Sequence, residues 1–175
     1  ALVGPFAPSL AASQLEKLRG EPLPDGLAEI DIAAVRAAQA AIRDAVGAGA
    51  LASAHDIAEG GLAVALAECC LAGNLGAEVD LGEDFWETAW PAAPGHGSVS
   101  PVSTRVTAAL FGEGAGGFVV SGPQDALGEL AGHATVRRIG TVGGDALRIA
   151  RAGQTLAATL ADLAEAHAAL GALFR

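Results

Sequence analysis

Ser53-Ala54-His55-Asp56-Ile57-Ala58-Glu59-Gly60-Gly61-Leu62-Ala63-Val64-Ala65-Leu66-Ala67-Glu68 reads as a strand, a polar turn and a helix. Residues 51–54 are apolar and extended in character. Gly60 and Gly61 permit close backbone approach, and the helix that follows carries almost no side-chain bulk. Its first N–H groups have no partner within the helix, so the turn suits an anion such as a phosphate. Asp56 calls for something else. A carboxylate beside a phosphate repels it unless a cation lies between them, which points to Mg2+ ligation by Asp56. The alternative is local, with His55 and Asp56 capping the helix and ordering the turn.

Upstream, Asp31 is the expected N-cap of a helix whose Ile32, Val35, Ile42 and Val46 make one apolar face ending near Gly47 and Gly49. Downstream, the helix from Gly61 to about residue 71 is almost wholly apolar, as burial on more than one side requires, and Gly73-Asn74 stops it. Residues 77–81 alternate as a short strand, and 102–110 read as a helix or a strand. Phe118-Val119-Val120 marks a strand over 116–121, and Pro123 starts a helix running to about residue 131. Residues 136–142 and 146–150, joined by Gly143-Gly144-Asp145, read as a β-hairpin. Residues 154–170 read as a closing helix with Leu156, Leu160, Leu163 and Leu170 on its apolar face. Irregular alternation with one hairpin predicts α/β layers in the α+β sense: a mixed β-sheet flanked by helices.

Two stretches lack periodicity. Residues 1–29, with Pro5, Pro8, Pro22 and Pro24, read as an extended, loop-rich leading segment with one short helix near 13–18, and residues 30–175 form the α/β domain proper. Residues 83–101 hold both tryptophans, Trp86 and Trp90, and exceed the common loop length, so they read as a long loop or insertion with a short helix near 84–89. His96, between two glycines there, reads as a solvent-exposed side chain, since a metal site needs several converging ligands. Cys69 and Cys70 are adjacent on a helix, where they point apart, and read as buried thiols rather than a disulfide or zinc pair.

The second glycine-rich run, Phe111-Gly112-Glu113-Gly114-Ala115-Gly116-Gly117, carries one carboxylate into a strand. Its glycines permit close approach to a ligand, and Glu113 is able to accept hydrogen bonds from a ribose or an amide; the other reading is a tight turn into the strand. It is not a Walker A loop, because GK[ST] is missing. Residues 53–68 with this run resemble the C-terminal domain of phosphoribosylformylglycinamidine synthase, the large synthetase subunit of purine biosynthesis. That domain is shared with aminoimidazole ribonucleotide synthetase, selenophosphate synthetase, thiamine-phosphate kinase and a hydrogenase maturation protein. The segment 10–51 and the C-terminal run 155–174 are similar too, so the likeness covers most of the chain and is weakest between 82 and 109.

The resemblance implies a pseudo-symmetric pair, with Asp56 toward magnesium and Glu113 toward substrate. Ser53, His55, Gly60, Gly61 and Gly114 join Glu113 as candidates for nucleotide or substrate binding. The resembled family often has an arginine where this chain has Gly117, a departure that removes a phosphate grip from this turn. The family's catalytic histidine, ATP-contacting lysine and most Mg2+ ligands lie in N-terminal ATP-binding domains and have no counterpart motif here. The implied parent is an ATP-dependent C–N ligase that activates an amide oxygen of formylglycinamide ribonucleotide and lets ammonia displace it. The chain alone is expected to be inactive, with no catalytic residue of its own. The implied partners are the parent's ATP-binding domains, a glutaminase subunit, a small bridging subunit and the ribonucleotide. The alternatives are the matching domain of aminoimidazole ribonucleotide synthetase or another superfamily member, and a non-catalytic structural or regulatory domain.

Composition fits a piece of a larger enzyme. The 175 residues suffice for one domain with a real core and are short for a complete ATP-dependent synthetase. There is no methionine, even at position 1, so a processed chain or an excised domain is expected; the end just past the closing helix favours the short form of the parent. Lys17 is the only lysine. A formal charge of −10 argues against a sequence-independent nucleic-acid binder, which must neutralise many phosphates. No apolar run reaches the roughly 18 to 20 residues of a membrane span, and the N-terminus lacks the charged flank of a signal peptide, so a cytoplasmic location is expected.

Overall fold

In the computed structural model, residues 1–20, 29–82, 102–151 and 153–172 are described. The expectations for 83–101, including the short helix and His96, lie outside the described residues. The chain divides into two compact units: the described residues of 1–65 and 86–138 make the first, and those of 66–85 and 139–175 make the second.

The first unit is built on a four-stranded sheet in the order β2 (Ser53–Asp56), β4 (Phe118–Ser121), β1 (Leu2–Val3), β5 (Val136–Arg137), antiparallel throughout. β1 is only two residues long, yet Leu2 and Val3 are fully buried between β4 and β5. Val3 and Val120 meet Ile42 of α2 (Ile32–Gly47) and Leu127 and Leu130 of α5 (Gln124–Leu130) in one apolar cluster. The Asp31 side chain caps α2 by accepting from the Ala34 N–H at 2.9 Å, as its sequence position predicts. The buried face of α2 is narrower than its pattern suggests: Ala38 and Ile42 are buried, while Ile32 and Val46 are 66% and 51% exposed.

The leading segment holds α1 (Gln14–Arg19), whose N-cap Ser13 is buried and accepts from the Glu16 N–H at 3.3 Å. Glu16 reaches back to the Ala12 N–H at 3.2 Å, so Ser13 and Glu16 serve the amides on both sides of the helix start. α4 (Val102–Phe111) resolves the open reading of 102–110 in favour of a helix. α3 (Gly61–Gly73) begins in the first unit and ends where Asn74 turns to φ +46°, with Leu62, Ala63 and Ala65 buried in its first two turns.

The second unit has its own sheet, β6 (Gly140–Val142), β3 (Ala77–Asp80), β7 (Ala146–Arg151), β8 (Gln154–Thr159), so the expected mixed sheet is in fact two sheets, of which this one is mixed. β3 and β7 are parallel; the other pairs are antiparallel. The predicted 136–150 hairpin does not form. Ala77 pairs with both Val142 and Leu147, so β3 lies between the two arms and Gly143-Gly144-Asp145 bridges across it, with Gly143 donating to the Gly76 carbonyl. The arms are thus two strand spacings apart, about 10 Å, and their backbone groups are satisfied by β3 instead of each other. Residues 136–137 belong to the first sheet and 140–142 to the second.

The hairpin that does form joins β7 to β8 through two residues, with Gly153 at φ +75°. Residues 154–159, expected to open the closing helix, are therefore strand, and the helix is α6 (Leu160–Ala172). Its start is a capping box. The Asp162 N–H donates to Thr159 Oγ1 at 3.1 Å, and Thr159 returns its N–H and hydroxyl to Asp162 Oδ2 at 3.1 and 2.7 Å. Thr159→Ala is expected to cost about 1 kcal/mol of second-unit stability in chemical denaturation. The Thr159 hydroxyl, and then its N–H, hold the Asp162 carboxyl below its ordinary 3.8. A carboxyl whose folded value is depressed stabilises at neutral pH and loses that contribution as pH falls through the depressed value. Protection of the α6 amides, taken relative to intrinsic exchange at each pH, should therefore fall selectively below the ordinary carboxylate range and stay constant between pH 6 and 8.

Candidate functional site

β2 is an edge strand, so the first motif sits at the margin of its sheet. Ser53 lies opposite Ser121, and their hydroxyl oxygens are 2.6 Å apart; His55 lies opposite Val119 and Asp56 opposite Phe118. The His55 Nδ1–H donates to the Asp56 carbonyl at 2.6 Å, and the same nitrogen is 3.8 Å from Asp56 Oδ1. The Asp56 side chain is 67% exposed. Strand pairing continues one residue further, where the Ile57 N–H donates to the Gly117 carbonyl.

The turn into α3 then uses two left-handed residues, Gly60 at φ +83° and Gly61 at φ +74°. Here the structure departs from a phosphate cradle. The Gly60 N–H donates to Glu113 Oε1 at 2.9 Å, and the Gly61 N–H turns back to the Ala58 carbonyl at 3.2 Å. A carboxylate of the chain itself thus occupies the anion position at the helix start. Gly61 is also packed on backbone: a Cβ there would lie 2.6 Å from the Gly112 carbonyl oxygen and 2.9 Å from that of Leu110.

The second motif is closed in the same way. Glu113 exchanges both backbone hydrogen bonds with Ser9 at 2.9 Å, and its Oε1 also accepts from the Gln14 N–H at 2.7 Å. Added Cβ atoms would lie 2.9 Å from Pro8 Cβ at Gly112, 2.7 Å from the Ala7 carbonyl oxygen at Gly114 and 2.6 Å from the Phe6 ring at Gly117. The close approach these glycines allow is therefore taken by residues 6–9. Phe6 fills the space that a side chain at Gly117 would need.

Of the residues singled out in the sequence, Gly60, Gly61, Glu113 and Gly114 gather at one joint of turns, while Ser53, His55 and Asp56 lie along the neighbouring strand edge. Gln14, Ser9 and Phe6 complete the joint and were not singled out; the Ser13-x-x-Glu16 box was the sequence signal for an ordered turn there. Among the described residues, no group of three His, Cys, Asp or Glu side chains is placed to hold a metal ion. Burial pushes the Cys69 and Cys70 thiols up, with Cys70 and then Glu68 adding to the effect at Cys69, so neither is an activated nucleophile. A groove of about 460 Å³ between α2 and α5 is lined mainly by alanines, with Asp44, Glu129 and His133, and includes none of the residues above. No helix of the described residues is long and apolar enough to cross a membrane.

Two four-stranded sheets with flanking helices, and glycine turns at the strand ends, define an α+β chain. The chain belongs to the family described as AIR synthase related protein, C-terminal domain, whose model matches residues 8–151. It is 40% identical over 152 residues to phosphoribosylformylglycinamidine synthase subunit PurL of Thermobifida fusca, covering 83% of this chain and 17% of that protein. The solved structure of T. maritima PurL complexed with FGAR is similar in fold, with TM-score 0.62 and 21% identity over 93% of this chain and 27% of that one. The same protein complexed with ADP matches with TM-score 0.51 and 22% identity over 71% of this chain and 20% of that one. The chain thus spans about a sixth of the length of the curated relative it matches.

Proposed function

We propose that the chain is the C-terminal domain of a phosphoribosylformylglycinamidine synthase large subunit, supplying one wall of the cleft in which formylglycinamide ribonucleotide becomes the amidine. The observation that carries this reading is the 40% identity to a PurL subunit, sustained across 83% of the chain rather than confined to one glycine motif. In the whole enzyme the γ-phosphoryl group of ATP passes to the glycinamide carbonyl oxygen, ammonia attacks that activated carbon, and phosphate leaves with that oxygen. Such a reaction is governed by positioning and charge neutralisation, so a domain without a nucleophile still contributes.

Within that cleft Asp56 is the residue for magnesium. Mg2+ takes one or two carboxylates and completes its shell with water and phosphate oxygens, so a single exposed carboxylate at a strand end suits it where a protein-only cage does not exist. When bound, the ion would neutralise phosphate charge. Ser53 and His55 precede Asp56 on the same edge strand. Glutamine-derived ammonia, a glutaminase subunit, a bridging subunit and a cytoplasmic location follow from the same reading.

Complementation separates this reading from its nearest rival. The complete gene should restore purine-free growth to a strain lacking the amidine-forming synthetase, and not to one lacking aminoimidazole ribonucleotide synthetase. The reverse pattern would overturn it.

A further inference from the structure

We propose that Glu113 is a positioning residue, an internal anion that replaces a bound phosphate at the start of α3 and ties the leading segment to the Gly60–Gly61 turn. The inference goes beyond the functional reading and holds whichever ligand the cleft takes. One carboxylate oxygen, Oε1, accepts two backbone N–H groups from distant segments, Gly60 at 2.9 Å and Gln14 at 2.7 Å. The backbone of the same residue is locked by its reciprocal pair with Ser9. Glu113 therefore joins three pieces of chain: the 7–14 segment, the turn after β2 and the turn after α4.

The flanking glycines belong to the same device. Gly112 and Gly114 leave room for Pro8 and Ala7 to lie directly against the turn, which brings the Gln14 N–H within reach of the carboxylate between them. A phosphate approaching the Gly60 N–H would meet a negative charge already in contact with that donor, at a distance where like charges repel strongly. The Gly-Glu-Gly run thus acts as a latch that fixes where β2 ends, and so where Asp56 projects, rather than as a ligand loop.

Hydrogen–deuterium exchange on the full-length protein tests this directly, using peptides that span residues 12–18 and 57–62, with 146–151 as a reference. Glu113→Ala should speed exchange on the order of tenfold in the first two peptides and leave the reference unchanged, because charge-assisted bonds to both amides are lost. Glu113→Gln keeps an oxygen acceptor in place and should hold both peptides within about threefold of the parent. Unchanged exchange in Glu113→Ala would overturn the proposal. If the alanine variant does not fold, the glutamine variant decides: a rise in exchange confined to those two peptides, within that threefold, supports the latch, and exchange equal to the parent's in both overturns it.

Discussion

Gly61→Ala is expected to destabilise the first unit by about 2–5 kcal/mol, the sum of roughly 1–2 for a left-handed non-glycine residue and 1–3 for overpacking. Gly61 sits at φ +74°, and its added Cβ would press on the Gly112 and Leu110 carbonyl oxygens and the Phe111 carbonyl carbon, all within 2.9 Å. None of these is the mobile end of a side chain, so relief requires α3 to move away from the turn after α4. Urea denaturation of the full-length protein, followed by exchange in β4 peptides, measures the loss. Gly128→Ala is the matched control: it lies within α5 with nothing inside 4 Å of the new methyl, and a gain of up to about 1 kcal/mol is expected from helix propensity. A Gly61→Ala variant within 0.5 kcal/mol of the parent would contradict the close backbone contact.

Asp56→Ala should lower kcat/KM of the complete enzyme roughly a hundredfold, the scale expected when one stabilising group is removed from a phosphoryl-transfer site. Stability should change little, because the side chain is mostly exposed and its carboxylate oxygen lies 3.8 Å from His55 Nδ1. Activity of the variant should also need more magnesium, which a purely structural role for Asp56 would not predict. Equal activity and equal magnesium dependence in parent and variant would remove Asp56 from the site.

The contrast between these two positions shows what the sequence makes legible. The β2–turn–α3 unit is readable because its signals are local: an extended run, two adjacent glycines, then an apolar helix. The Asp31 cap and the Pro123 helix start are local in the same sense. The sheet partition is not. β1 gains its strand character only by lying between β4 and β5, and β3 enters between β6 and β7 from more than sixty residues upstream. Residues 154–159 carry leucine spacing compatible with a helix, but the free edge of β7 takes them as a strand, and the Thr159-x-x-Asp162 box marks the true helix start. At the site, Glu113 was legible as an unusual carboxylate between glycines. Its partners were not, since Gln14 and Gly60 are 99 and 53 residues away and contribute only backbone N–H groups, which every residue but proline has.

The glycine motifs have a physical lesson of their own. Close approach to a ligand and close approach to the chain itself demand the same absence of a side chain, so the residue pattern cannot distinguish them. Phe6 against Gly117 and Ala7 against Gly114 decide for the chain in the second motif. The exposed end of β2 then carries the chemistry that remains, which is why Asp56 rather than the glycines bears the functional proposal.

The most direct test is product formation by the full-length protein. With formylglycinamide ribonucleotide, ATP, magnesium and ammonia, the account predicts the amidine, with one ADP and one phosphate released for each. No amidine under those conditions, with ATP-dependent ring closure of the amidine substrate instead, would contradict it and move the chain to the ring-closing member of its family.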